Sequence, residues 1–185
     1  MKYSLIDSES ISDVEYKKLS PLSSVPTLKI GNDIIIESVA MIELIEELYP
    51  LPTLLSKSPI QRAHVRELVE MVNGFLHPGQ TSFVPRFFHP NIDDHEVKNY
   101  RKKWLTEGLP DLLKKAYLTS SFAVGDSFTA ADLTILPLYA KALELGVNPA
   151  EFKPLKDAVI FIKQQKQLWE TCPEDLKNTF NKFYP

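Results

Sequence analysis

The sequence contains a single cysteine, Cys172, among 185 residues. One thiol cannot form an internal disulfide framework, and this scarcity fits a reducing compartment. Cys172 lies near the C-terminus, and the sequence implies no histidine or aspartate partner for it, so we interpret it as an ordinary thiol. The four histidines share no ligand spacing with one another or with Cys172, and no metal site is predicted.

The sequence also lacks blocks of lysine and arginine, and it lacks long apolar runs. Its formal net charge of -3 argues against nucleic acid or an anionic membrane as the main partner. The longest apolar runs fall well short of the roughly 20 residues that cross a bilayer, and the first residues do not resemble a signal peptide. These absences predict a cytoplasmic protein that binds a small molecule or another protein.

Hydrophobic residues make up 44% of the chain, which is enough for a packed core. The first fifty residues predict short alternating elements. Residues 2–6 are a brief β-branched and aromatic run that weakly predicts a strand. Residues 13–19 predict a short helix that ends before Pro21, because the residue preceding a proline avoids the α region.

Residues 27–30 and 33–36 predict a β-hairpin. The Gly-Asn pair between them can supply the positive φ angles that a tight turn requires. Ser38 is predicted to cap the helix that follows, whose apolar residues keep helical spacing as far as Leu48.

Residues 51–56 form a proline-bounded connector, and the periodicity beyond it is helical. We therefore predict two domains, residues 1–52 and residues 57–185. The helices of the second domain are predicted at residues 59–83, 93–118, 129–145, 155–169 and 173–183.

The clearest helix start in the second domain is the segment Thr-Ala-Ala-Asp that begins at Thr129. The Thr129 hydroxyl can accept from the backbone N–H three residues on, and Asp132 can reach back to the start of the helix. This pattern is typical of a local folding signal, so we assign Thr129 and Asp132 a structural role.

A short α/β unit joined by a proline-rich linker to an all-helical domain resembles the glutathione transferase superfamily. Residues 122–137, Phe-Ala-Val-Gly-Asp-Ser-Phe-Thr-Ala-Ala-Asp-Leu-Thr-Ile-Leu-Pro, resemble that family's signature at the start of the buried helix. Residues 58–66 and 77–80 are similar to zeta-class segments, although His77 and Gly79 depart from the pattern. The resemblance implies an α+β fold: a truncated thioredoxin-like domain of about three strands, followed by an all-α domain.

The resemblance also implies a glutathione site. Val-Pro-Thr-Leu at residues 25–28 is similar to the family motif in which a cis X-Pro bond leaves main-chain groups free. Val25 and Pro26 would hold the cysteinyl unit of glutathione by antiparallel main-chain pairing. Glu37 and Ser38, at a helix start, would hold the γ-glutamyl end, since a helix N-terminus attracts a carboxylate and Glu37 would meet the ammonium.

A substrate pocket above this site would involve Gln80, Arg86 and Phe87. Phenylalanines around Arg86 could line such a pocket, but a connecting loop that packs on the core explains them equally well.

The activating part of the zeta-class site has no counterpart before Val25. Family members carry a first strand, a helix and a Ser-Ser-Cys segment there, and their hydroxyl and thiol stabilise the glutathione thiolate, so no catalytic residue is assigned. Three interpretations stay open. Residues 2–6 occupy the vacant central position beside residues 27–30, or the catalytic front is encoded upstream, or a partner subunit donates the missing strand.

The resemblance predicts a zeta-like glutathione transferase, or glutathione-dependent maleylacetoacetate isomerase-type protein, that is catalytically impaired by the missing segment. The alternative is a non-catalytic, glutathione-transferase-like scaffold that binds protein. Glutathione, a small electrophilic or dicarboxylic substrate and a homodimer are the implied partners.

Overall fold

The computed structural model describes residues 3–7 and 10–185. The chain divides into two units, Met1–Leu54 and Leu55–Pro185. The division falls inside residues 51–56, the segment that the sequence marks as a connector. The regular elements described in the first unit are two helices and a hairpin, whereas those of the second are all helical.

Helix α1, Asp13–Leu19, is the first helix of the described chain. The Ser12 hydroxyl caps it by accepting from the Glu15 N–H at 3.3 Å. The helix ends at Leu19, and Ser20 is its C-cap in an extended conformation, as the proline that follows predicts. The predicted helix at residues 13–19 is therefore confirmed.

Strands β1, Thr27–Ile30, and β2, Asp33–Ile36, form the predicted antiparallel hairpin. Gly31 in the turn has a φ of 60°, a left-handed conformation that costs glycine little. Helix α2, Ser38–Leu48, follows β2 after a single residue. The hairpin thus leads the chain directly from residue 26 to the start of a helix.

The strand predicted at residues 2–6 is wrong for the part that the structure describes. Residues 3–6 are irregular, and the Leu5 side chain is 91% exposed. The sheet contains only β1 and β2 among the described residues, so the first of the three interpretations fails there; Lys2 lies outside them. A short run with no neighbouring strand leaves its backbone groups without partners, so it gains nothing by becoming a strand. The α+β class stands, with two strands in place of about three.

A buried carboxylate fastens the end of the first unit. Glu46 in α2 is only 6% exposed. Its carboxylate accepts from the Leu54 N–H at 2.7 Å and from the Thr53 hydroxyl. Hydrogen bonds to a buried charge are among the stronger ones in proteins, so this contact fixes the connector against α2.

The second unit is built from helices. They are α3 (Pro59–Glu70), a π-helical turn (Met71–Leu76), α4 (His77–Gly79), α5 (Phe83–Phe88), α6 (Asp94–Leu113), α7 (Ala130–Glu144), a 3-10 turn (Pro149–Glu151), α8 (Lys153–Gln164), α9 (Lys166–Thr171) and α10 (Glu174–Phe183). Helix α7 lies at the centre of the core, with Ala131, Ile135 and Tyr139 fully buried.

Two predicted helices of this unit are interrupted, and a third is shorter than predicted. The helix predicted at residues 59–83 passes through the π-helical turn and ends at Gly79. Pro78 has no backbone N–H and its ring disturbs the preceding turn, which accounts for the irregular geometry just before it. The helix predicted at 155–169 breaks at Gln165, and the one predicted at 93–118 ends at residue 113.

Candidate functional site

The loop before β1 presents unpaired main-chain groups. The Val25–Pro26 bond is cis, which confirms the prediction. The Val25 residue is 64% exposed. Within the described residues, neither its N–H nor its C=O makes a hydrogen bond. Both groups are therefore available to pair with an extended peptide ligand.

Two hydroxyl groups of the first unit hold this loop from α1. The Tyr16 hydroxyl donates to the Ser24 carbonyl at 3.0 Å and lies 2.9 Å from the Thr27 hydroxyl. The Ser20 hydroxyl donates to the same Ser24 carbonyl at 3.1 Å and accepts from the Ser24 N–H at 3.2 Å. Neither residue is predicted from the sequence, because no local motif indicates the Tyr16 contacts across eight and eleven positions or the Ser20 contact across four.

The start of α2 lies directly after the hairpin. The prediction that Ser38 caps this helix is wrong by one residue, because Glu37 occupies the N-cap position and Ser38 is the first helical residue. Glu37 has a φ of 73°, outside the helical region, so the helix can begin only after it. No side chain caps this end, and the first turn contains no acidic residue. The first N–H groups of α2, at the positive end of the helix dipole, are therefore not capped by a side chain.

Glu37 itself is exposed and has positive φ without being glycine. Such a conformation is uncommon for a residue with a Cβ and carries a modest strain. The exposed carboxylate stands next to the helix start, where it can meet a cation that accompanies a bound anion.

The residues predicted for the substrate pocket lie in the second unit, each in its own environment. The Arg86 guanidinium pairs with the Asp94 carboxylate and donates to the Ile92 carbonyl at 3.4 Å. Phe87 is 66% exposed and contacts two other phenylalanines of α5. The Gln80 Oε1 atom is buried and makes no hydrogen bond with any described residue. The pocket remains a prediction.

The capping segment of α7 is a closed network. The Asp132 carboxylate accepts from the Thr129 N–H at 2.9 Å, the Thr129 hydroxyl at 3.1 Å and the Ala123 N–H at 2.8 Å. Burial raises the pKa of Asp132 from its ordinary value, while these hydrogen bonds act in the opposite direction. Burial, followed by the negative charge of Asp132, raises the pKa of the Tyr117 hydroxyl well above its ordinary value. The network joins the helix to the preceding loop, which supports a structural role for Thr129 and Asp132.

An apolar pocket of about 160 Å³ lies among the C-terminal helices of the second unit. No sequence motif predicts this pocket. Its lining includes Leu136, Ile162, Trp169 and Cys172. Burial raises the pKa of the Cys172 thiol, so the thiol stays protonated at neutral pH.

No cluster of histidine, cysteine, aspartate or glutamate that could hold a metal ion occurs in residues 3–7 and 10–185. In the same residues, no helix combines the length and the apolar composition of a membrane span.

A cis X-Pro bond before a β-hairpin, an uncapped helix start directly after it and a following helical unit together define a glutathione-transferase-type protein. The family model "Glutathione S-transferase, N-terminal domain" matches residues 2–53. The chain is 34% identical over 173 residues to probable maleylacetoacetate isomerase 2 of Drosophila melanogaster, covering 89% of this chain and 74% of that protein. The chain belongs to the zeta class of glutathione transferases, the maleylacetoacetate isomerase family.

Other relatives are matched over shorter stretches. Probable maleylacetoacetate isomerase 1 of Drosophila melanogaster is 32% identical over 66% of this chain and 49% of its own length. The maleylacetoacetate isomerase of Mus musculus is 31% identical over 72% of this chain and 61% of its own length. The chain thus spans about half to three quarters of the length of these curated relatives.

Solved structures of the class share the fold. A bacterial maleylpyruvate isomerase of the zeta class superposes with a TM-score of 0.76 at 22% identity, covering 93% of this chain and 79% of that one. The maleylacetoacetate isomerase of Anaeromyxobacter dehalogenans, solved with dicarboxyethyl glutathione and citrate, gives 0.71 at 23% identity, covering 91% and 76%. These likenesses establish the fold.

Proposed function

We propose that this protein binds glutathione in its first unit. The observation that carries the proposal is the exposed Val25, whose main-chain N–H and C=O are both unpaired beside a cis proline. The cysteinyl unit of glutathione would pair with these groups. The γ-glutamyl carboxylate would lie at the N–H groups that start α2, and the Glu37 carboxylate would meet the ammonium.

Solved relatives support this choice of ligand. The Anaeromyxobacter dehalogenans maleylacetoacetate isomerase has also been solved with glutathione in its active site. A maleylacetoacetate isomerase from Methylobacterium extorquens was solved with malonate and glutathione. By analogy, a small dicarboxylic acid is the substrate class that we propose here.

For a dicarboxylic acid that contains a carbon–carbon double bond conjugated to a carbonyl group, the reaction that we propose is a cis–trans isomerisation. A thiolate adds to the activated carbon–carbon double bond, the resulting single bond rotates, and the thiolate leaves unchanged. A thiolate at neutral pH needs hydrogen-bond donors or positive charge near the sulfur. In the described residues before Val25, the hydroxyls of Tyr16 and Ser20 are engaged by the loop, and the sequence offers no thiol there. We therefore assign neither hydroxyl as the activating group, and catalytic impairment is tested by measuring turnover.

A second function is favoured by the surface of the first unit. Several large apolar side chains are exposed there, namely Tyr3, Leu5, Ile6, Leu22 and Leu51. We propose that they contribute to a surface that binds another protein, since contiguous exposed apolar patches are typical of such surfaces. A non-catalytic scaffold that retains glutathione binding is the alternative to an isomerase.

Calorimetric titration of the full chain with glutathione tests the binding site. Glu37→Ala removes the partner of the ammonium, so we expect about a tenfold weaker affinity, the usual effect of losing one charge-assisted hydrogen bond. The matched control is Glu47→Ala, which removes an exposed carboxylate farther along α2 and should leave the affinity unchanged.

Turnover is measured in the same samples with maleylacetone and with 1-chloro-2,4-dinitrobenzene. Activity above background supports the isomerase, whereas binding without turnover supports the scaffold. If the wild-type chain does not bind glutathione, the proposal is wrong in both forms.

We also propose that the protein is a homodimer and that it is cytoplasmic. Sedimentation velocity that shows only a monomer would contradict the homodimer.

A further inference from the structure

We propose that Tyr16 and Ser20 are positioning residues that hold the Val25 main chain ready for glutathione. This inference rests on the proposed function, because it assigns a role toward the same ligand. The two residues lie on α1 and at its C-terminal end, and neither has unpaired main-chain groups of its own to offer the ligand. They act on the ligand through the loop that they hold. We call the four hydrogen-bonded residues Tyr16, Ser20, Ser24 and Thr27 the α1 clamp.

The Tyr16 hydroxyl bridges the two sides of the Val25–Pro26 bond. It donates to the carbonyl of Ser24, the residue before Val25. A phenol has a single proton, so the Thr27 hydroxyl must be the donor in the second contact. One oxygen therefore fixes residues immediately before and after the dipeptide that presents the binding groups.

Ser20, at the C-terminal end of α1, also holds Ser24. It is fully buried, and its hydroxyl both donates to the Ser24 carbonyl and accepts from the Ser24 N–H. Its own N–H donates to the Tyr16 carbonyl at 2.8 Å, so α1 and the clamp form one continuous network. The Ser24 carbonyl consequently accepts two side-chain hydrogen bonds.

The clamp matters because little else fixes this loop. Strand β1 begins only at Thr27, and the described residues contain no strand on its other side. A loop that must be ordered during binding spends part of the interaction energy on lost conformational freedom. A loop already held in place avoids that loss. The α1 clamp therefore raises the affinity for glutathione without touching it.

Tyr16→Phe is the sharpest test, because it keeps the ring and removes only the bridging oxygen. We expect glutathione to bind about three- to tenfold more weakly, the range for losing one neutral hydrogen bond. Tyr3→Phe is the matched control, since it makes the same change in an exposed side chain of the same unit, and its affinity should equal that of the wild type. Ser20→Ala should weaken binding in the same direction, with folding checked by thermal unfolding.

A glutathione analogue separates positioning from general stability. Methylation of the cysteinyl nitrogen removes the ligand N–H that would pair with the Val25 carbonyl. If Tyr16 acts through Val25, Tyr16→Phe and the wild type should bind this analogue with nearly equal affinity. NMR titration at millimolar concentrations measures both affinities. An equal effect on both ligands would overturn the positioning role.

The remaining outcomes are distinguishable. Wild-type binding of glutathione with an unchanged affinity in Tyr16→Phe overturns the inference alone and leaves the proposed function standing. Absence of binding in the wild type overturns both.

Discussion

Asp132 joins a loop and a helix through three donors in the interior of the second unit. The side chain is fully buried, and the donors that it satisfies come from Thr129 and Ala123. A buried donor that loses its acceptor costs about 1–3 kcal/mol. The carboxylate therefore matters to stability through the groups that would be left unpaired without it.

Asp132→Ala should lower the free energy of unfolding by about 2–4 kcal/mol, because it removes a helix cap and leaves several buried donors unpaired. Urea unfolding followed by circular dichroism measures the change. Asp126→Ala is the control, since Asp126 is exposed in the same loop and should change stability by less than about 0.5 kcal/mol. A loss for Asp132→Ala as small as that of the control would contradict the structural role.

Cys172 should react slowly with a thiol reagent. Burial raises the pKa of this thiol, so the thiolate fraction at neutral pH is lower than that of a free cysteine. The rate of reaction with Ellman's reagent should therefore rise with pH, and the pH at the midpoint of this rise should be higher than for the chain unfolded in guanidinium. The single cysteine makes the assignment unambiguous. A midpoint at or below that of the unfolded chain would contradict the burial argument.

The structural and candidate-site residues differ in how far the sequence predicts their contacts. Thr129 and Asp132 are three positions apart, so their spacing alone indicates their hydrogen bonds. Tyr16 contacts Thr27 eleven positions away, across a loop whose path depends on a cis bond. Local spacing contains no information on such a contact. Glu37 was assigned to the helix start, but its positive φ follows from the geometry between β2 and α2 rather than from its own preference.

At the level of elements, the sequence predicts those that local turn chemistry determines, but not those that depend on packing against other elements. The Gly-Asn turn gave the hairpin at its observed bounds, because the turn alone sets the register. No glycine or proline marks the break between α8 and α9 at Gln165 in the sequence. Residues 3–6 have strand composition but no strand beside them among the described residues. A strand depends on its neighbours more than on its own propensity.

Gly79, the last residue of α4, packs closely against the Trp104 side chain of α6. A Cβ placed there would lie 2.1 Å from the Trp104 ring, far inside contact distance. Gly79→Ala should therefore destabilise the second unit by about 1–3 kcal/mol and change the Trp104 fluorescence. Thermal unfolding and emission spectra measure both effects.

Gly74 provides the control in the same stretch. A Cβ there meets no atom within 4 Å, so Gly74→Ala should be neutral or stabilising by up to about 1 kcal/mol through helix propensity. Equal behaviour of the two variants would show that the indole ring moves aside, and would contradict the tight packing.

For the whole molecule, buried apolar residues are distributed unevenly between the units. Among the described residues up to Leu54, Met41 is the single apolar residue that is buried. The helical unit contains a large core around α7 and α8, including Leu105, Leu109, Tyr139 and Leu155. Local stability follows the amount of buried apolar surface, so the units should open at different free energies.

Amide hydrogen exchange of the full chain measures this difference. Amides of β1 and β2 should exchange at least about a hundredfold faster than those of α7, since the first unit has little apolar burial to resist opening. Glutathione at 100 times its dissociation constant should then slow exchange in the first unit by up to about 2.7 kcal/mol of opening free energy, because it binds only the closed form.

The pattern of protection locates the ligand independently of any mutation. Protection should concentrate between Val25 and the first turn of α2, whereas α7 should be unaffected because it makes no part of the proposed site. Deaminated glutathione serves as the matched ligand control: it keeps the cysteinyl main chain and lacks the ammonium that meets Glu37. At saturation it should therefore protect the Val25 loop, but the concentration needed for saturation should be higher than for glutathione. Protection confined to the helical unit would place glutathione elsewhere and contradict the site.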